Sequence, residues 1–236
     1  MLNNTFHELF PKAKAIIGMI HLAGEGRPER LRRALEEIRI YAEEGVSGAI
    51  VEDYHSDSLD VEEVLKKIHP IEGFTLGINV LNNPYSAFGL ADKYGARFVQ
   101  FDSVMSNRLD FPRYVQQRFV HPSVAVLGGV RFKYQPSTGR TLEEDIAEGI
   151  ERCDVIVTTG DGTGLETPMP KLRDFRRVME RFPLIVGAGV TAENVREQLA
   201  VCDGAIVGSY FKNGSTQAPV DRQRVRDLMS VVNSAN

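Results

Sequence analysis

The chain has 236 residues, 42% of them hydrophobic and 25% charged, a globular balance with enough apolar material for a sizeable core. Its formal net charge is −4 and its basic residues are scattered among acids, as in "ERLRRALEEIR", which argues against a nucleic-acid partner. No apolar run is long enough to span a bilayer, and the opening "MLNNTFHELFPKAK" lacks the basic start and apolar centre of a secretory signal.

Two cysteines, Cys153 and Cys202, are too few for a disulfide framework or a zinc site, so a reduced, cytoplasmic chain is expected. Short apolar runs rich in valine and isoleucine then recur in chain order. They are "AIIGMIHL" from Ala15, "GAIVEDY" from Gly48, "FTLGINV" from Phe74 and "ARFVQFDS" from Ala96. "SVAVLGGVRF" from Ser123, "DVIVTTG" from Asp154, "LIVGAGV" from Leu184 and "GAIVGSYF" from Gly204 complete the set. Each is too short for a globular helix and reads as a buried strand.

Helix signals fill the gaps. Pro28 suits a first turn ahead of Leu31, Leu35, Ile38 and Tyr41, and "TLEE" from Thr141 is a capping box. Thr167 followed by Pro168 predicts a capped start, Thr191 and Asp221 are expected to cap the last two helices, and Asn83 an earlier one. Pro112 and Pro122 limit the helix between them. Eight strand–helix units without a linker predict one (β/α)8 barrel, a single domain over residues 1–236 with 1–13 as a short N-terminal extension. A doubly wound open sheet would more naturally stop at fewer strands.

Barrel chemistry sits where strands end and the following loops begin. The candidates there are His21, Glu52, Asp53, Asn79, Asn82, Gln100, Asp102, Lys133, Thr159 and Asp161, then the stretches 187–191 and 208–212. Cys153, Asp154 and Cys202 fall at strand starts, on the face that carries stability. "VGAGVTAEN" and "VGSYFKNG" end the last two strands in glycines, so Gly187, Gly189, Gly208 and Ser209 are the expected phosphate grip. The plainer alternative is that these glycines only permit close packing.

Carboxylates at Glu52 and Asp102 suit proton transfer, burial near like charge raising the pKa; a salt bridge to a loop lysine or arginine is the alternative. Alternation lets one of Glu52 and Asp53 point inward. Lys133 could attack or polarise a carbonyl, or serve as a structural cation paired with Asp102. His21 could transfer a proton or hold a hydroxyl, and Asn79 suits a sugar hydroxyl. "IVTTGDGTG" from Ile156 reads as a ligand-facing lip, with Thr159 and Asp161 towards substrate. No metal-ligand motif is present and no cofactor is expected; the remaining metal arrangement is Mg²⁺ between Glu52 and Asp102.

Taken together, "IGMIHL", "GINVLNN", "ARFVQFD", "VRFK", "IVTTGDGTG", "IVGAGVTAENV" and "GAIVGSYFKNG…PVDRQRV" resemble the BtpA family. That family is named for a photosystem I biogenesis protein and includes SgcQ-type proteins associated with bacterial sugar-utilisation operons. The match runs from Ile16 to Met229 and implies a TIM barrel tied to phosphate-binding barrels, without a defined reaction. Glu52 matches the family's glutamate and is therefore the inward carboxylate expected of the pair. The chain departs at Asp53, Gly129 and Tyr134, where the family commonly carries Asn, Asp and His, and "AGEGRPERL" replaces a proline-rich loop.

The resulting expectation is an enzyme acting on a small phosphorylated metabolite, a sugar phosphate, by isomerase, epimerase or lyase chemistry. One alternative is a non-catalytic barrel serving assembly of a membrane complex, at most peripherally attached and betrayed by an exposed apolar patch. Another is a nucleotide-binding barrel with Tyr134 as a stacking surface. Homo-oligomerisation is compatible with all three.

Overall fold

Each of the eight apolar runs becomes a strand in the computed structural model, which describes residues 5–11 and 14–234. They are β1 (Ala15–Ile20), β2 (Gly48–Glu52), β3 (Thr75–Asn79), β4 (Phe98–Phe101), β5 (Ala125–Gly129), β6 (Val155–Thr158), β7 (Leu184–Val186) and β8 (Gly204–Val207). All pair in parallel with their sequence neighbours, and β8 closes on β1 through Ile17 opposite Ile206. The helices are α1 (Thr5–Leu9), α2 (Gly26–Glu43), α3 (Ser58–Lys67), α4 (Ser86–Tyr94), α5 (Phe111–Val120), α6 (Leu142–Arg152), α7 (Met169–Met179), α8 (Val195–Leu199) and α9 (Arg222–Asn233).

Alternation along each strand divides the core into two layers. Inward side chains such as Ile17, Ile50, Phe98, Leu127, Val157 and Ile185 fill the barrel, while Ile16, Val51, Val126 and Val186 pack outward against the helices. The N-terminal segment belongs to the inner layer. Phe6, Leu9 and Phe10 of α1 and the residue after it are buried there, with the Phe10 and Phe98 rings 5.7 Å apart. Thr75 Oγ1 donates to the Leu9 carbonyl at 2.7 Å. Burying these three side chains contributes roughly 1.5–3 kcal/mol each. The segment expected as an extension is thus the plug of the lower barrel end, as far as residues 5–11; 1–4, 12 and 13 lie outside the described residues.

Local capping follows the sequence in part. Thr141 and Glu144 form the reciprocal capping box of α6, and Asp221 accepts from the Gln223 and Arg224 amides at the start of α9. Thr167 does not cap α7: the helix starts at Met169, and the Thr167 hydroxyl donates instead to the Ala188 carbonyl at 3.1 Å. Thr191 does not cap α8 either, because the backbone turns once more before Val195 and Asn194 Oδ1 accepts from the Thr191 amide. Asn83 is exposed, its side chain accepting from Arg113 rather than capping α4.

At the strand starts, Arg118 pairs with Asp154 at 2.6 Å and Arg176 with Asp203 at 2.6 Å, while Cys153 and Cys202 are buried free thiols. That end is built from ion pairs and plug packing. The opposite end gathers the remaining polar groups.

Candidate active site

Parallel register places Glu52 at the end of β2 directly beside Asn79 at the end of β3. Asn79 Nδ2 donates to Glu52 Oε1 at 2.8 Å and to Asp102 Oδ1 at 3.3 Å, so one amide bridges two carboxylates. Gln100 Nε2 reaches the same Asp102 oxygen at 3.3 Å, leaving Gln100 Oε1 buried without a partner. His21 follows β1; its Nε2 lies 4.0 Å from Glu52 Oε2, and its Nδ1 has no hydrogen-bond partner. Asp53 turns away, as alternation requires, and accepts from the Leu81 amide at 2.8 Å.

These surroundings reset the protonation states. Burial, reinforced by the Asp102 charge, pushes the Glu52 carboxyl up to about 8. Burial likewise raises Asp102. Burial and the Lys212 charge hold His21 well below its ordinary value, so its imidazole is neutral at pH 7. The Glu52–His21 contact is therefore not an ion pair at pH 7. Both side chains are almost inaccessible, at 6% and 4% exposure, yet both border the cavity at the barrel mouth.

That cavity, about 190 Å³, has Met19, Phe132 and Ile206 as its apolar floor. His21, Glu52, Gln100, Asp102 and Lys133 meet it from one side, and Gly187, Gly189, Gly208 and Ser209 from the other. Lys133 is not at a strand end as its sequence position suggests: β5 stops at Gly129, and Lys133 sits four residues on, in a loop folded over the mouth. Its amide donates to Thr159 Oγ1 at 2.6 Å. Its ammonium lies 5.4 Å from the Phe132 ring centroid, and no ion pair joins it to Asp102 among the described residues. A Cβ at Gly129 would lie 2.1 Å from the Asp102 carbonyl oxygen, so this backbone has no room for the aspartate of the family pattern.

The lip after β6 faces the site through different residues from those expected. Thr159 is fully buried and uses its hydroxyl on the Lys133 amide and the Gly160 carbonyl, which makes it an anchor for the lysine loop. Asp161 is exposed and borders a neighbouring cavity instead of the mouth. Thr163 and Gly164 line the mouth in their place, and the Tyr134 hydroxyl accepts from the Thr163 amide at 2.9 Å. Tyr134 itself is 71% exposed at the rim. Asn79 is too deep to meet a ligand and acts through Glu52 and Asp102; Asn82 is exposed.

The glycine loops are held by close packing and also border cavities at the mouth. Gly189 has φ +66°, and a Cβ there would lie 2.3 Å from the Glu166 Cα, so packing demands the glycine. The same residue, with Gly164, Gly208 and Ser209, also lines an adjoining cleft of about 290 Å³. Its far wall is Thr191, Tyr210 and Arg224. The Arg224 guanidinium lies 5.1 Å from the Tyr210 ring centroid, and its Nε donates to Asn213 Oδ1 at 2.6 Å. Sequence reasoning missed Arg224, which sits on α9, ten residues beyond the loop that it flanks. Lys212, within the candidate stretch 208–212, points elsewhere. It is fully buried and pairs with Glu37 of α2 at 2.7 Å.

Glu52 and Asp102, the pair considered for Mg²⁺, are already bridged by the Asn79 amide, which donates to one oxygen of each. No cluster of three or more His, Cys, Asp or Glu suited to a metal occurs among the described residues.

The profile of the BtpA family matches residues 12–234. The chain belongs to the BtpA family. A BtpA relative from Archaeoglobus fulgidus is 28% identical over 250 residues, covering 92% of this chain and 97% of its own length. Among solved structures, phosphoribosyl anthranilate isomerase from Thermus thermophilus superposes with a TM-score of 0.65 at 13% identity, covering 94% of this chain and all of the other. The 3-hexulose-6-phosphate synthase from Salmonella typhimurium gives 0.66 at 14%, with coverage of 94% and 100%. At such identities the likeness is one of fold: this BtpA chain is a TIM barrel. No helix among the described residues is long and apolar enough to cross a membrane.

Proposed function

We propose that the protein is an enzyme that moves a proton within a small phosphorylated sugar, in an isomerase or epimerase reaction. The observation that carries this is a buried Glu52, its carboxyl pushed up to about 8, bordering a cavity that shares Gly164, Gly189, Gly208 and Ser209 with an adjoining glycine-lined cleft. The phosphate would lie against the backbone amides at Gly189, Gly208 and Ser209, with Arg224 opposite. The reacting carbons would then rest on the apolar floor between Glu52 and His21.

A carboxyl with a pKa near 8 is present in both forms around neutral pH, so Glu52 can take a proton from one carbon and return it to the next. Neutral His21 can exchange a proton with the substrate oxygen, and the Lys133 ammonium can polarise the carbonyl. Asn79 and Gln100 fix the two carboxyls and are positioning residues. Lyase chemistry through a Schiff base is less well supported, because the buried pair at the cavity is Glu52 and His21 rather than a buried lysine.

A thermal-shift screen of phosphorylated and unphosphorylated sugars and of nucleotides tests the binding half of this reading. Stabilisation by sugar phosphates alone, abolished by Ser209→Asp, is expected; equal response to unphosphorylated sugars would remove the phosphate assignment. Solvent-deuterium incorporation into the responding sugar tests the chemistry, and should vanish in Glu52→Gln.

One observation favours homo-oligomerisation. Phe111, Val115 and Phe119 stand at four-residue intervals on α5, all exposed, with Phe119 85% accessible. If that face joins two copies of the chain, light scattering will show a dimer that Phe119→Glu converts to monomer; a monomeric wild type removes it.

A further inference from the structure

Between the loops after β5 and β6 lies another cavity, about 530 Å³, which the proposed proton transfer does not use. It shares Phe132, Lys133 and Tyr134 with the mouth, and its wall also carries three further cations, Arg131, Arg140 and Lys171, among neutral residues and the carboxylates Asp145 and Asp161. Two of these are internally neutralised: Arg131 and Arg140 contact the buried Asp145 of α6 at 2.8 and 3.3 Å. Lys133 and Lys171 are not. Among the described residues neither makes an ion pair within 4.0 Å; the exposed Asp161 on the same wall acts on Lys171 only through its charge, at longer range.

Lys171 is the informative one. It is half-buried in the first turn of α7, where a positive charge opposes the helix dipole, so helix stability is not its reason for being there. Its Nζ donates to the Arg131 carbonyl at 2.8 Å and to the Thr159 carbonyl at 2.6 Å. An ammonium has three donors, which leaves one for the cavity. Holding a cation part-buried on neutral acceptors is costly unless an anion completes it. The loop it supports is also strained, with non-glycine residues Arg131 at φ +49° and Tyr134 at φ +61°. Such strain is retained where the surroundings over-determine it, characteristically beside ligands.

We infer that this cavity receives a second anionic group of the substrate, held by Lys171. The substrate class narrows to a sugar carrying an anion at both ends: phosphate in the Arg224 cleft, and carboxylate or a second phosphate at Lys171. This rests on the phosphate assignment made above for the loops after β7 and β8.

The test is a set of titrations at low ionic strength with ribulose 5-phosphate, ribulose 1,5-bisphosphate and 6-phosphogluconate. At least one dianionic-ended sugar should bind about tenfold more tightly than the monophosphate, and the better of the two identifies the second group. Lys171→Met should erase that preference and leave monophosphate affinity in place. Because Lys171 also ties two carbonyls, Ser137→Glu on the exposed rim supplies a second variant that adds repulsion without touching those bonds. It should erase the preference as well. Equal affinities in the wild type, or a preference that survives both substitutions, would overturn the inference. If Arg224→Met still abolishes monophosphate binding in that case, the phosphate cleft stands alone. Absence of binding by all three probes would overturn both.

Discussion

The proposed chemistry turns on Glu52 because a single side chain is buried, beside like charge, and at the edge of a cavity. Its folded pKa of about 8 stands against an ordinary 4.5, so between those values the folded chain holds a proton that the unfolded chain has lost. Stability must therefore fall as pH rises through that window. Glu52→Gln removes the slope: its urea midpoint should approach that of the wild type below pH 4.5 and exceed it above pH 8. A variant that tracks the wild type across the window would show that Glu52 is not desolvated. His21 acts in the opposite direction. Its folded pKa is depressed, so the unfolded state gains a proton below 6.5 and stability falls as pH drops through that value. Replacing the bridging amide, Asn79→Leu, should lower kcat about a hundredfold with a smaller change in KM, since it releases both carboxyls from their set positions.

Among the loops and helices, identical residue types carry different weight, and substitutions should show it. Gly45 ends the turn after α2 with φ +81° and open space around its missing Cβ. Gly189 has a similar φ, but a Cβ there would enter the Leu165–Glu166 backbone. Gly45→Ala should cost about 1 kcal/mol, the left-handed strain alone. Gly189→Ala should cost several times more and abolish response to sugar phosphates, because the loop after β6 must move away from the cleft. Denaturant melts and thermal shift on the pair distinguish these outcomes. The capping threonines divide similarly. Thr141→Ala should lose about 1 kcal/mol through the capping box of α6. At Thr191 the same change removes no cap, because α8 begins only at Val195.

Across the whole molecule, the barrel is held at its seam by a buried ion pair between the chain's two ends. Lys212, after β8, meets Glu37 of α2, which also accepts from Arg33 at 3.0 Å and from the Val220 amide at 3.3 Å. Lys212→Met leaves Glu37 buried with one cation fewer and should destabilise by about 3 kcal/mol, measured by urea unfolding. The eight strands, their order and the face that would carry function were legible in the sequence. Strand periodicity and turn residues are local signals, and right-handed parallel closure follows once eight units alternate. Glu52 inside and Asp53 outside was equally legible from alternation and the family glutamate. What only the tertiary structure decided depends on groups far apart in the chain. It turned residues 5–11 into a barrel plug, Thr159 into an anchor and Lys212 into a seam. It also brought Arg224 and Lys171 to two separate cavities that border the mouth. Periodicity specifies which face of an element is buried, but the partner that a buried polar group meets is set by packing between distant segments, and that partner decides its charge.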